Sequence, residues 1–135
     1  MMRRIVAGLL ATALPLTAQA ATTGEEDTMV INRLNASDFE VVETRSMGAT
    51  DFWCGAGTFV ERRSGLPGTT AIYLKRPRGP SSSAPGRKAV VFSTSGAGLP
   101  APQGQTSISI VRPGSMLKSN VARSFCRDAF TRATK

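Results

Sequence analysis

The apolar and polar positions of the chain fall into short runs separated by turn chemistry. Met29 to Leu34 and Phe39 to Thr44 are β-prone, and in the second run Phe39, Val41 and Glu43 alternate with Glu40, Val42 and Thr44. Asn35-Ala36-Ser37-Asp38 between them has turn composition, so a hairpin is expected. The triplet Asn35-Ala36-Ser37 also matches the N-glycosylation acceptor, a match frequent by chance, and is read as the turn. From Asp51 the period becomes helical. Phe52, Trp53, Ala56, Phe59 and Val60 form a stripe, with Thr50 or Asp51 as N-cap and an end near Arg63, before Ser64-Gly65-Leu66-Pro67-Gly68. Gly55 and Gly57 each weaken such a helix by about 1 kcal/mol relative to alanine, which fits a second backbone approaching there; a non-helical turn at Gly55 is the alternative.

Three more strands follow. Thr69 to Lys75 and Lys88 to Thr94 flank a segment rich in Pro, Ser and Gly, expected to project as a flexible loop over 76–88. A second loop, 95–106, leads to Ser107 to Val111, where Ile108 and Ile110 alternate with serines, and Pro113-Gly114 ends that strand. A last helix begins at Ser115 or Ser119, with Val121, Ala122, Phe125, Cys126, Ala129 and Phe130 on one side. The predicted fold class is α+β: a small antiparallel sheet of about four or five strands covered on one face by two helices.

The first twenty residues stand apart from this pattern. Arg3 and Arg4 precede an uncharged apolar run from Ile5 to Leu16, too short for a bilayer core of about 30 Å, and Ala18-Gln19-Ala20 follows. This order predicts a signal peptide over 1–20, cleaved after Ala20, against the competing reading of a buried N-terminal helix. General secretion fits the two arginines better than a twin-arginine route. No cysteine follows the cleavage point to carry a lipid, and no later apolar run reaches the length of a membrane span, so a mature chain without a transmembrane segment, periplasmic or secreted, is expected. Residues 21–28 read as an acidic flexible tail and 29–135 as a single domain.

Composition removes several chemistries. The 135 residues include no histidine and two cysteines, which excludes Ser-His and Cys-His dyads, histidine zinc sites and histidine acid-base work. Charge is uneven. Residues 21–51 hold seven acids against Arg33 and Arg45, while the rest of the chain is strongly basic. Either the acidic part lies over a basic surface within one fold, or a basic face is left for an anionic partner; a positive surface that simply aids solubility is the plain reading. In an exported chain the two cysteines are expected to pair, Cys54 with Cys126, tying the first helix to the last. Closing a loop of about 70 residues contributes roughly 4 kcal/mol on the chain-entropy model. Cys54 lies off the apolar stripe, so either it sits in a frayed first turn, or sheet and last helix cover opposite sides of this helix. Free or catalytic thiols are the rival reading, without C-x-x-C spacing or histidine to support them.

Phe52-Trp53-Cys54-Gly55-Ala56-Gly57 opening a helix, with Phe125-Cys126 near the end, resembles a group of small exported bacterial proteins of uncharacterised function that share an aromatic-Trp-Cys-Gly/Ala-Ala-Gly segment and a late aromatic-Cys pair. The resemblance covers about residues 39 to 127. It implies export and a paired Cys54 and Cys126, and no activity.

The remaining motifs are weak. Ser115-Met116-Leu117-Lys118 has the S-x-x-K spacing of penicillin-binding proteins but no K-T-G element, and reads as a helix cap and a solvated lysine. Gly96-Ala97-Gly98-Leu99-Pro100-Ala101 spells G-x-G-x-x-A, yet Pro100 and Pro102 stand where a phosphate-binding helix would start. Glu25-Glu26-Asp27 has no EF-hand spacing after it, so no metal and no cofactor are assigned. Two functions from different classes remain. One is a non-catalytic binding module for an envelope protein or an anionic glycan, with Arg76, Arg78, Arg87 and Lys88 as the candidate anion-binding loop and no nucleic acid expected. The alternative is a minimal hydrolase or transferase using Ser/Lys or carboxylate chemistry, disfavoured because only Glu61 and Asp128 lie beyond the acidic N-terminal part.

Overall fold

A computed structural model describes residues 28–102 and 108–126. The expected signal segment, all but Thr28 of the acidic tail, Ser107, and Ala129 and Phe130 lie outside the described residues. The elements are β1 (Ile31–Arg33), β2 (Asp38–Val42), α1 (Ala49–Thr58), which runs on into a π-helical turn (Phe59–Arg63), β3 (Ala71–Pro80), β4 (Lys88–Ser93), β5 (Met116–Lys118) and α2 (Ser119–Ser124). The strands form one antiparallel sheet in the order β1-β2-β4-β3-β5. The fold is therefore α+β, five strands and two helices, as the patterning indicates.

Alternation sorts the sheet into two faces. Phe39 and Val41 of β2, Ile72 and Leu74 of β3 and Val90 and Phe92 of β4 meet the Phe52, Trp53, Ala56, Phe59 and Val60 stripe of α1 in one core. Phe39 stacks on Phe59 with ring centroids 4.2 Å apart, and Trp53 meets Phe92 edge-on at 4.9 Å. The other face carries Asp38, Glu40 and Val42 beside Ser93, Val91 and Ala89, and these too are buried.

Helix α1 is buried all round because two partners cover it. A Cβ on Gly55 would stand 2.9 Å from Val41 Cγ1, on the sheet side, and one on Gly57 would stand 2.9 Å from the Ser119 carbonyl oxygen of α2. The glycines thus mark two opposite close approaches, one by the sheet and one by the backbone of α2. Cys54 faces the second partner and is bonded to Cys126, with Cα atoms 4.8 Å apart. The off-stripe position of Cys54 is explained by cover on both sides and not by a frayed first turn.

Three element bounds differ from expectation. The N-cap of α1 is Gly48, not Thr50 or Asp51; Asp51, in the first turn, accepts the Gly48 N–H at 2.8 Å. Strand β3 continues through Pro80, so Arg76 to Pro80 are sheet residues and the connection to β4 shrinks to 81–87. The fifth strand is Met116–Lys118, while the last helix starts at Ser119, one of its two expected starts. Of the strand expected at Ser107 to Val111, residues 108–111 are irregular, and the Ile108 carbonyl accepts the Trp53 indole N–H at 3.0 Å. Val121, expected on the covered side of the last helix, is 41% exposed, whereas Ala122 is fully buried.

Candidate functional site

The four basic residues singled out in the sequence do not converge. Two one-residue shifts in the pairing of β3 with β4, between Leu74 and Arg76 and between Arg76 and Gly79, decide where they go. Each adds a residue to β3, bends it and re-aims side chains. The first places the consecutive residues Lys75 and Arg76 on the same face, the one carrying Asp38 and Glu40. Lys75 Nζ reaches Asp38 Oδ2 at 2.5 Å, and Arg76 comes within 4.0 Å of Glu40 Oε2. Strand β4 lies between these partners, so each side chain spans two interstrand spacings, roughly 10 Å. Arg78 goes the other way. Its guanidinium donates to the Met47 carbonyl at 2.5 Å, pairs with Glu43 at 3.3 Å and lies 5.3 Å from the centroid of the Phe52 ring. Arg87 and Lys88, at the end of the hairpin, are exposed.

The residue that organises the hairpin is one that the sequence reading left in a strand. Glu40 is completely buried, and its carboxylate is enclosed by three consecutive serines. The hydroxyl of Ser81 donates to Oε1 at 2.5 Å, the N–H of Ser83 to Oε1 at 2.9 Å and the N–H of Ser82 to Oε2 at 3.1 Å. The Ser83 hydroxyl also donates to Oε1. Ser81 Oγ in turn accepts the Ala84 N–H at 2.8 Å, Asn32 of β1 donates to Ser83 Oγ at 2.8 Å, and Arg76 donates to the Pro80 carbonyl and Ser82 Oγ, each at 3.2 Å. Two backbone N–H groups and two hydroxyls aimed at one carboxylate form an anion-binding concavity, and a side chain of the protein fills it. Burial pushes the Glu40 carboxyl up, but the serine hydrogen bonds outweigh it and hold the group below its ordinary value of 4.5.

Asp38 follows the same logic. Desolvation raises its carboxyl, and hydrogen bonds from Lys75, Asn35 and Ser93 together with the Lys75 charge lower it further, to about 2. The other described carboxylates are also engaged: Glu61 accepts from Ser119 at 2.7 Å and pairs with Arg123 at 3.5 Å, and Asp51 lies 4.0 Å from Arg45. Each of the five described acids therefore has its own basic partner. The described acids of the acidic segment, Asp38, Glu40, Glu43 and Asp51, lie beside basic residues within one fold, as in the first of the two arrangements that the charge asymmetry allowed.

Among the described residues the candidate catalytic groups are not brought together. Lys118 lies on β5 rather than on the helical turn after Ser115, and the Ser115 hydroxyl donates to the Arg112 carbonyl at 2.8 Å. Gly96 to Ala101 are turn and irregular backbone. Among the described residues no group of three His, Cys, Asp or Glu side chains is placed to hold a metal ion, and no helix is long and apolar enough to cross a membrane. No protein-family model, curated protein or solved structure matches the chain.

One signal for the buried carboxylate was present in the sequence. Val42 shares the face of Glu40, and an apolar residue beside a glutamate on one strand face argues that the face is covered. Nothing local links that glutamate to serines some forty residues later.

Proposed function

We propose that the protein is an exported, non-catalytic binding module whose partner is an anionic glycan of the cell envelope; the Trp53-Cys54 and Phe125-Cys126 segments, which resemble those of small exported bacterial proteins, bear on the export alone. The observation that carries this reading is the distribution of charge. All five described carboxylates are matched internally, and the positive surplus falls on exposed side chains such as Arg87, Lys88, Arg112 and Lys118 that face no carboxylate among the described residues. Exposed unmatched positive charge attracts polyanions over about a Debye length, roughly 10 Å at 0.1 M salt. Export is supported by the N-terminal pattern of charge, apolar run and small residues, and by the Cys54–Cys126 bond, which persists in oxidising compartments. The engaged carboxylates leave the carboxylate form of the hydrolase alternative without an unpaired acid or base among the described residues.

The test is salt-dependent retention on an immobilised acidic polysaccharide. Replacing both Arg87 and Lys88 by serine, with Arg76 and Arg78 untouched, is expected to bring elution forward to lower salt with the melting temperature unchanged. Retention equal to that of the unaltered protein would return the charge to the role of a solubilising surface.

A further inference from the structure

Glu40 gathers the hydrogen bonds that, among the described residues, tie the tip of the β3–β4 hairpin to β2: the N–H groups of Ser82 and Ser83 and the hydroxyls of Ser81 and Ser83 end on this one side chain. We propose that the Glu40 carboxylate is an acid-released latch, which holds the Ser81–Ser83 tip against the second face of the sheet while ionised and lets it go when neutral.

The argument is one of donors and acceptors. The Ser82 N–H points at Oε2 and the Ser83 N–H at Oε1, so the tip needs an acceptor at both oxygens. A carboxylate supplies two acceptors and no donor; a protonated carboxyl turns one of its oxygens into a donor, and an amide does the same. The hydroxyls can rotate to suit, but a backbone N–H cannot, so neutralisation weakens the hold on one tip N–H and leaves it facing a poor partner. Charge assistance is lost from the rest at the same time.

The groups facing Glu40 leave it as the titrating member. From β3 comes Arg76, always charged, and beside it Lys75, held by Asp38. From β4 comes Val91 and from β1 Asn32, opposite Glu40 in register. The tip itself supplies only serines. Among the described residues Asp38 is the one other acid on this face, and its partners are Lys75, Asn35, Ser37 and Ser93, not the tip. The frame to which the tip is latched does not titrate with it, being apolar on its other face and closed by the disulfide.

Release uncovers a face on which Val42, Ala89 and Val91 are buried together with Glu40. It also frees Arg76 from Ser82 and from the Glu40 charge. The latch stands independently of the proposed glycan partner, since its readout is the tip itself.

The experiment is residue-resolved amide hydrogen exchange on the disulfide-bonded protein, expressed as protection relative to the free peptide. In Glu40→Gln at neutral pH, protection at Ser82 and Ser83 is expected to fall about tenfold or more, with Val41 and Val90 retaining theirs. The unaltered protein, acidified until the Glu40 carboxylate is protonated, is expected to show the same separation between tip and core, which supplies the answer should the variant fail to fold. Asp38→Asn, neutralising the neighbouring acid, is expected to leave the tip protected. Unchanged tip protection in Glu40→Gln, loss of tip and core protection in step on acidification, or release of the tip by Asp38→Asn would each overturn the latch.

Discussion

The two faces of the sheet are built from different physics. On one, apolar side chains of β2, β3 and β4 pack on α1, and a covalent bond fixes α1 to α2. On the other, two buried carboxylates hold two strands and a hairpin tip through lysine, arginine and serine donors. The first face draws on burial, which is indifferent to pH and sensitive to volume. The second draws on matched charge, which is strong only while both carboxylates are ionised. A domain this small gains stability from both while each fails under its own condition, so substitutions and acid should separate them.

The largest expected effect lies on the apolar face. Changing both cysteines to serine opens a loop whose ends are 72 residues apart in sequence, and is expected to lower stability to chemical denaturation by about 4 kcal/mol on the chain-entropy model. Acid sensitivity should be left as it was.

Next comes a pair of alanine substitutions in α1. At Gly57 the new methyl would meet backbone, Arg123 N at 2.8 Å and Ser119 O at 2.9 Å, in a helix that the disulfide prevents from withdrawing. A loss of about 2 kcal/mol is expected. At Gly55 the neighbours are side chains, Val41 Cγ1 at 2.9 Å and Met29 Sδ at 3.1 Å, and methionine can move. There the gain in helix propensity, about 1 kcal/mol, offsets the crowding, and little net change is expected in the denaturation midpoint.

The smaller effect belongs to the charged face. Lys75→Met leaves Asp38 without its ammonium, and because Lys75 is 44% exposed the expected loss at neutral pH is only about 1 kcal/mol. Its signature is in acid. The Asp38 carboxyl is lower in the folded protein than in the unfolded chain, so its contribution is complete above the ordinary value of 3.8 and disappears as pH falls from there to about 2. Lys75→Met should flatten stability against pH within that window, as read from thermal melts at successive pH values. The double cysteine variant should keep the original slope.

The same contrast explains what could be read in advance. Phe52, Trp53, Ala56, Phe59 and Val60 announced the apolar face because burial leaves a periodic trace. The opposite side of α1, with Cys54, Gly57, Thr58 and Glu61, left none: a disulfide, a glycine approach and hydrogen bonds to α2 need small or polar residues, which hydrophobic periodicity cannot distinguish from a surface. The cysteine pair and the helix-weakening glycines, which fit a close backbone approach, were its only traces. The segment from Arg76 to Ser83 was misjudged for a related reason. Its prolines, glycine and arginines have the composition of a projecting loop, yet two register shifts let β3 absorb them, and the serines found a glutamate distant in sequence. Loop composition describes what a segment lacks for forming its own core. It is silent about a buried charge elsewhere that needs donors.

The most direct test of the charged face is a carboxyl-carbon NMR titration of Asp38 and Glu40 in the folded protein. Asp38 is expected to titrate near 2 and Glu40 below 4.5, with the Ser82 and Ser83 amide resonances following Glu40. Titration of either carboxyl at or above its ordinary value would contradict the account, because burial would then be unopposed and the second face would not be held by charge.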